Sequence, residues 1–203
     1  MACLSSLATA QNLQKIKAGD KIAVEAITYG AKGRDVFVEN TRMIDVNVSQ
    51  TENTYTLSSE QGKTVYQRNG HVVLERESPA GKTIVAENQR FYWMPPGADW
   101  SKPYSGSFQI SNPNCGLGKM TFEATSKPTK FSLQIAGKPS EVDVQEVQIS
   151  AKWMLSGNCG NGTQPMKFVY SQELDIVLER DTKVFSSNGM LLRGEAIKTK
   201  SVN

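Results

Sequence analysis

Histidine and cysteine are scarce in this sequence, which limits the chemistry that its side chains can support. His71 is the single histidine among 203 residues, and the three cysteines form no CxxC pair. A zinc site usually needs four such ligands, and a Ser/His/Asp triad would depend on a histidine beside an Asn-Gly turn. The GxSxG, HExxH, P-loop and Rossmann glycine patterns are absent too. We therefore expect no metal, no cofactor and no enzymatic activity.

Long apolar runs and a large charge of one sign are also missing. No stretch approaches the roughly 18 consecutive apolar residues that indicate a membrane-spanning helix. The 23 basic and 20 acidic residues are interspersed and leave a net charge of +3, whereas nucleic-acid-binding proteins usually carry a clustered basic surplus. The sequence thus predicts no transmembrane segment and no nucleic-acid partner, while a hydrophobic fraction of 38% is typical of a globular domain.

Period-two alternation of apolar residues is the dominant pattern that is present. The segments KIAVEAITY (21–29), KFSLQIA (130–136) and EVDVQEVQISAKWML (141–155) place apolar side chains two residues apart, as half-buried antiparallel strands do. Asn-Gly pairs at 69–70 and 188–189 are typical of tight hairpin turns. We predict an all-β protein of antiparallel strands with little or no helix.

One short sequence occurs twice. VYQRNGHVVLER (65–76) and VYSQELDIVLER (169–180) are identical at six of twelve positions without a gap. Two further matches keep the same order: residues 20–26 resemble 118–124, and residues 31–38 resemble 137–144. Strict alternation would place three residues of each copy on one face: Val72, Leu74 and Arg76 in the first, and Ile176, Leu178 and Arg180 in the second.

We interpret these matches as two similar halves, although convergent patterning of strands is the alternative. The halves would span about 19–93 and 117–200, joined by a connection at 94–116, within a single β domain at 18–203. A sheet of one half has an apolar face that it cannot bury alone. The prediction is therefore a β-sandwich or a partly open, curved β-barrel.

The stretch FYWMPPGADWSKPYSGSF (91–108) carries six aromatic residues and three prolines. Proline cannot continue a central strand, so this stretch is expected to be a loop whose aromatic side chains must be covered. They either plug one end of the β domain or form a ligand-binding patch. The candidates for that patch are Tyr92, Trp93, Trp100 and Tyr104.

Two cysteines lie in turn-like sequence. Cys115 is in SNPNCGLGK and Cys159 is in SGNCGNGT, and such Asn/Gly-rich segments form exposed turns. A disulfide between them would close a loop of about 45 residues and stabilise the fold by roughly 3–4 kcal/mol in the chain-entropy model. The alternative is two free thiols in a reducing compartment.

The N-terminal segment 1–17 is expected to be flexible. Ala8-Thr9-Ala10 has the small-x-small pattern of a signal-peptidase site, so the segment is one of three things. It is the stub of an export signal, or a tether whose Cys3 is acylated as in a bacterial lipoprotein, or a disordered terminus.

A resemblance follows from the second copy of the repeat. FVYSQELDIVLERD (168–181) resembles a strand of an uncharacterised family of bacterial periplasmic or outer-membrane-associated β-rich proteins, with Val169 and Gln172 departing from its Trp and Pro. The stretch GADWSKPYSG (97–106) is similar to the Gly-x-x-Trp segment that opens the second half of such proteins. The resemblance implies an exported β-rich domain, and it transfers no catalytic residue.

These observations favour an extracytoplasmic, non-enzymatic binding or structural protein in the periplasm or cell envelope. Its partner would be an envelope component, a glycan or a lipid, while the sequence predicts no oligomeric state. One alternative is an envelope-glycan hydrolase with paired carboxylates, which needs two carboxyl groups about 5–10 Å apart. Another is a carrier of a lipid or acyl chain, which needs an apolar cavity between the halves.

Overall fold

The computed structural model describes most of the chain: residues 15–68, 72–79, 81–93, 99–112, 116–156 and 160–203. The predicted lipidation of Cys3 and the predicted disulfide between Cys115 and Cys159 lie outside the described residues. Ile16 belongs to the segment predicted to be flexible, yet it is 6% exposed. Its N–H donates to the carbonyl of Leu174 at 3.0 Å, so the packed domain includes residues before the predicted start at 18.

The first half of the chain forms a meander of six strands, in which each strand pairs with the next in antiparallel fashion. The strands are β1 (Lys21–Lys32), β2 (Asp35–Gln50), β3 (Thr54–Ser59), β4 (Gly62–Gln67), β5 (Val73–Ser78) and β6 (Gly81–Ile84). A short 3-10 turn at Glu87–Gln89 follows. Among the described residues, no helix has the length and hydropathy needed to cross a bilayer.

The second half forms another meander of six antiparallel strands. The strands are β7 (Tyr104–Asn112), β8 (Gly116–Ile135), β9 (Lys138–Leu155), β10 (Asn161–Ser171), β11 (Ile176–Ser186) and β12 (Leu191–Val202). The predicted connection at 94–116 therefore contains β7, the first strand of this meander.

One continuous sheet contains both meanders, because β1 pairs with β12. The strand order is β6-β5-β4-β3-β2-β1-β12-β11-β10-β9-β8-β7. The sheet curls until β12 also meets β8, where Ser201 and Val202 pair in parallel with Gln134 and Ile135. The all-β, antiparallel prediction is thus confirmed, with one curled sheet in place of two facing sheets.

The repeated sequence folds into the same hairpin twice. In the β4–β5 hairpin Val65 pairs with Glu75 and Tyr66 with Val73, so Leu74 is an extra residue that forms a bulge. In the β10–β11 hairpin Val169 pairs with Glu179 and Tyr170 with Val177, and Leu178 is the extra residue. Each paired residue of the second hairpin has a number 104 higher than its counterpart in the first, which is also the offset between the two sequences. Both hairpins are formed by the fourth and fifth strands of their meander.

The bulge corrects the predicted faces of the repeat. Strict alternation would place Leu74 with Arg76, but the extra residue brings Val73 to the side of the sheet on which Arg76 lies, and both line the same cavity. The surroundings of the copies also differ, since Leu178 is 1% exposed and Leu74 is half-buried. The reason is position: β11 lies in the middle of the sheet, whereas β5 is one strand from its edge.

The other two sequence matches fall on strands that are not equivalent. Residues 20–26 lie at the start of β1, the first strand of its meander, whereas residues 118–124 lie in β8, the second. Residues 31–38 span the β1–β2 turn, and residues 137–144 span the turn between β8 and β9. The structural correspondence therefore rests on the hairpin repeat and on the six-strand plan, and a common origin of the halves stays a prediction.

Two clusters of buried side chains form the core. The first packs β1, β2 and β3 against the ends of β8, β9, β11 and β12, and it includes Ile22, Val48, Tyr55, Phe131 and Leu178. The second covers one face of β8, β9 and β10, and it includes Trp93, Phe122, Val147, Trp153 and Phe168. The segment around Trp93 closes over this second face.

Candidate functional site

A cavity of about 380 Å³ lies inside the curled sheet, between the two meanders. This volume is within the range of small-molecule sites, which is roughly 300–1,000 Å³. Most of the lining is apolar and comes from strands of both halves and from the segment after β6: Ile22, Val24, Val46, Leu57, Val73, Val85, Phe91, Trp93, Met166, Phe168, Ile176, Val177 and Ile197.

The rest of the lining is polar and includes three arginines, which we name the arginine cluster: Arg76, Arg180 and Arg193. Arg180 and Arg193 both form an ion pair with Glu195, at 3.1 and 3.2 Å. Within the described residues, no acidic side chain lies within ion-pair distance of Arg76. Glu195 therefore pairs with two of the three guanidinium groups and leaves Arg76 without an ion pair in the described part of the chain.

The pKa values show that these four groups influence one another. Burial would raise the pKa of the Glu195 carboxyl, but Arg180, Arg193 and Arg76 outweigh burial and hold that pKa below its ordinary value. Loss of hydration, and then repulsion from Arg180, lowers the pKa of the Arg76 guanidinium, although by its solvent-accessible surface Arg76 is an exposed residue. The cluster thus creates a positive potential at the cavity wall.

The two hairpins that carry the repeated sequence supply two members of the cluster. Arg76 and Arg180 end the two copies of VLER and lie opposite Thr64 and Phe168 in the same register. The glutamates beside them do not neutralise them, because successive side chains on a strand point to opposite faces. They form ion pairs with lysines instead: Glu75 with Lys63 at 3.7 Å, and Glu179 with Lys167.

Tyr55, Tyr66 and Ile176 line the cavity at the other end of the two hairpins. The Arg68 guanidinium, just after β4, forms an ion pair with Asp175, just before β11, at 2.7 Å. The same carboxylate accepts a hydrogen bond from the Tyr170 hydroxyl at 3.0 Å. Tyr55 stacks on Tyr66 nearby with ring centroids 4.9 Å apart, and Tyr55 and Ile176 are 4% and 2% exposed. This end is therefore deep and enclosed.

The predicted aromatic residues pack against the sheet, and the structure brings three of them close to the second core cluster. Trp93 is buried and stacks on Phe168 with centroids 4.9 Å apart. Trp100 stacks on Tyr170 at 6.1 Å and lies 6.2 Å from Trp93. Of the four predicted ligand-binding residues, Trp93 lines the cavity.

The other two predicted residues lie beside this group. Tyr92 is half-buried next to Trp93. Tyr104 meets Phe122 edge-on at 5.7 Å, and burial raises the pKa of its hydroxyl. That hydroxyl has no hydrogen-bond partner within the described part of the chain. A ligand role for Tyr92, Trp100 and Tyr104 stays a prediction.

Sequence reasoning missed the arginine cluster. A signal was present, because both copies of the repeat end in Arg, but the repeat alone does not show that these two arginines line one cavity. Arg193 and Glu195 belong to β12, outside any motif, so their approach to Arg180 depends on the pairing of β11 with β12. In the described ranges, no group of three His, Cys, Asp or Glu side chains could hold a metal ion.

Comparison with known proteins gives structural matches alone: no protein-family model and no curated protein matches the chain. The hypothetical lipoprotein YmcC from Escherichia coli K12 is 10% identical with a TM-score of 0.46, and the alignment covers 88% of this chain and 83% of YmcC. A Bacteroides fragilis protein, named as a candidate exported protein with a YmcC-like fold, is 7% identical with a TM-score of 0.38, and the coverage is 95% of this chain and 99% of that protein.

Both names are of the kind that the sequence resemblance implies, an uncharacterised lipoprotein and an exported protein of bacteria. Both TM-scores are below 0.5 and both identities are at or below 10%. The two structures therefore assign neither a family nor a function to this chain.

Proposed function

We propose that this chain is an extracytoplasmic binding protein of the bacterial envelope that holds the apolar chain of a lipid or similar molecule between its two meanders. The cavity inside the curled sheet carries this proposal. It is lined by both halves, its volume is about 380 Å³, and its deep end is formed by buried apolar and aromatic side chains. Such a cavity is what a carrier of an acyl chain requires.

The apolar lining favours a carrier over the hydrolase alternative. A glycosidase of the paired-acid type needs two carboxyl groups flanking the bond that breaks. Glu195 is the one carboxylate among the described residues that line this cavity, and it is engaged with Arg180 and Arg193. The cavity therefore offers an apolar volume and positive charge rather than a pair of acids.

A fluorescent binding assay tests the proposal. The neutral apolar dye N-phenylnaphthylamine brightens when it leaves water, so titration with the folded protein reports occupation of the cavity. Val177→Trp and Ile197→Trp each place a large side chain into the lining. We expect each variant to weaken dye binding at least about tenfold, which corresponds to about 1.4 kcal/mol, because the added indole occupies space that the dye needs.

The matched control is Val38→Trp, since Val38 is 55% exposed on β2 and lies outside the cavity lining. It adds the same side chain to a strand of the same sheet and should leave binding unchanged. Circular dichroism and a cooperative melt establish that each variant folds. Folded cavity variants that bind the dye as tightly as the unmodified protein would overturn the proposal, as would a protein that binds no dye at all.

A further inference from the structure

We propose that the arginine cluster selects amphiphiles with an anionic head, so that the ligand is a single-chain molecule ending in a carboxylate or a phosphate. This inference rests on the proposed function, because it assigns the head group of a ligand whose chain fills the cavity. It names a chemical class that an apolar volume alone does not specify.

The balance of charge is the first argument. Arg76, Arg180 and Arg193 bring three positive charges to the cavity wall, and Glu195 brings one negative charge. The wall therefore carries two positive charges that no described side chain of the lining compensates. Arg76 and Arg193 are exposed residues and are reached by water, whereas a carboxylate or phosphate would supply charge-assisted hydrogen bonds in a geometry that matches arginine.

The state of Arg76 is the second argument. Its side chain makes no ion pair or side-chain hydrogen bond with any described residue, and it is close enough to Arg180 for the two charges to repel. Like charges that face a shared cavity are stabilised by an anion between them. Glu195 already forms ion pairs with Arg180 and Arg193, so Arg76 is the member of the cluster whose charge is left to a ligand.

The polarity along the cavity is the third argument. The enclosed end contains Tyr55 and Ile176, close to the ion pair between Arg68 and Asp175. The arginines lie farther along β5 and β11, and the Arg193 side chain is 66% exposed. A single-chain amphiphile would place its chain in the enclosed end and its charged head at the accessible end, where water can still reach it.

Isothermal titration with four probes of equal chain length tests this assignment. The probes are dodecanoate, dodecyl phosphate, dodecanol and dodecylammonium, each used below its micellar concentration. We expect either anion to bind at least about tenfold more tightly than dodecanol, and dodecylammonium to bind more weakly than dodecanol. Inorganic phosphate alone should bind far more weakly than dodecyl phosphate, because it lacks the chain.

Substitutions then identify the charges that are responsible. Arg76→Met and Arg180→Met keep an unbranched apolar stem and remove the charge, so the preference for anions over dodecanol should fall towards equality while dodecanol affinity stays the same. Arg34→Met is the matched control, because Arg34 is an exposed arginine in the β1–β2 turn. It should leave the preference intact.

The outcomes separate this inference from the proposed function. If dodecanol binds as tightly as the anions, the head-group assignment is wrong while the apolar cavity stands. If no probe with a chain binds, both proposals fail. If inorganic phosphate binds as tightly as dodecyl phosphate, the cluster is a site for a free anion, and the amphiphile assignment is overturned. The affinities of dodecanoate and dodecyl phosphate relative to each other decide which anionic head the cluster prefers.

Discussion

The guanidinium of Arg68 and the carboxylate of Asp175 lie 2.7 Å apart and join the connecting segments of the two equivalent hairpins. Both side chains are largely withdrawn from water, with exposures of 24% and 17%. Each is held by a further polar group, because Arg68 also donates to Gln50 and Asp175 accepts from Tyr170. The ion pair therefore fixes the distance between the meanders at the enclosed end of the cavity.

We expect that Asp175→Asn lowers the free energy of unfolding by about 1–2 kcal/mol, because it leaves a partly buried guanidinium without its counter-charge. Asparagine suits this position, since Asp175 has a φ of 55° and asparagine tolerates that region well. A double-mutant cycle with Arg68→Met, measured by urea unfolding, gives the coupling free energy between Arg68 and Asp175.

The control for this cycle is Lys130→Met. Lys130 and Asp143 form an ion pair of the same length, 2.7 Å, but their side chains are 58% and 76% exposed. Exposed pairs contribute little, so Lys130→Met should leave the free energy of unfolding essentially unchanged. Equal losses from the exposed pair and the joining pair would show that the latter does not hold the meanders together.

Gly162→Ala should destabilise the fold by about 2–3 kcal/mol. An added Cβ would lie 1.9 Å from the carbonyl oxygen of Phe185 and 2.6 Å from the ring of Trp153, and a backbone oxygen cannot move aside cheaply. Thermal unfolding measures the effect. Thr163→Ser, at the exposed neighbouring position, should stay within about 0.5 kcal/mol, and a similar result for Gly162→Ala would mean that β10 and β11 are less tightly packed there.

Glu195 should make stability depend on pH. Its folded-state pKa lies below the ordinary value of 4.5, so its contribution is present above about pH 4.5 and is lost as the pH falls through the lower, folded-state pKa. Its side chain is 37% exposed, so solvent screening keeps that contribution below about 1 kcal/mol. Urea unfolding of Glu195→Gln and of the unmodified protein should differ at pH 7, and the difference should shrink as the pH falls below 4.5 and through the lower, folded-state pKa.

Glu195→Gln should lower the stability of the fold at pH 7 but raise the affinity for an anionic ligand. Removing the Glu195 charge frees Arg180 and Arg193 for an anionic head, so dodecanoate should bind several-fold more tightly to Glu195→Gln at pH 7. Dodecanol binding serves as the reference and should not change. A weaker affinity for dodecanoate would mean that Glu195 is needed to hold the two arginines in position.

Cys115 and Cys159 are predicted to be joined in protein taken from the envelope of its source cells. Both cysteines lie outside the described residues, but their flanks are neighbours: the Ser156 hydroxyl donates to the carbonyl of Leu117 at 2.6 Å. Peptide mapping without reduction should find the crosslinked peptide, and reduction should lower the melting temperature. Two free thiols in that material would contradict both the crosslink and the proposed location.

The strands were predictable from the sequence because their alternation reflects which side chains enter the core. The sequence left a sandwich and a partly open, curved barrel as alternatives, because the choice depends on the pairing of β1 with β12 and of β12 with β8, between residues far apart in sequence. The face of Leu74 was predicted wrongly because one extra residue in a strand, a bulge, leaves no mark in an apolar run. The arginine cluster was not predicted, because Arg193 belongs to no sequence motif.

The pairing of β1 with β12 has a consequence for biogenesis. Val24 lies opposite Thr199, so this pairing joins residues that are far apart in sequence, and contacts of such long range form slowly. Until this pairing forms, Arg76 in the β4–β5 hairpin is not held near Arg180 and Arg193 of the second meander. The proposed binding cavity, which both meanders line, is therefore complete only after this long-range pairing has formed.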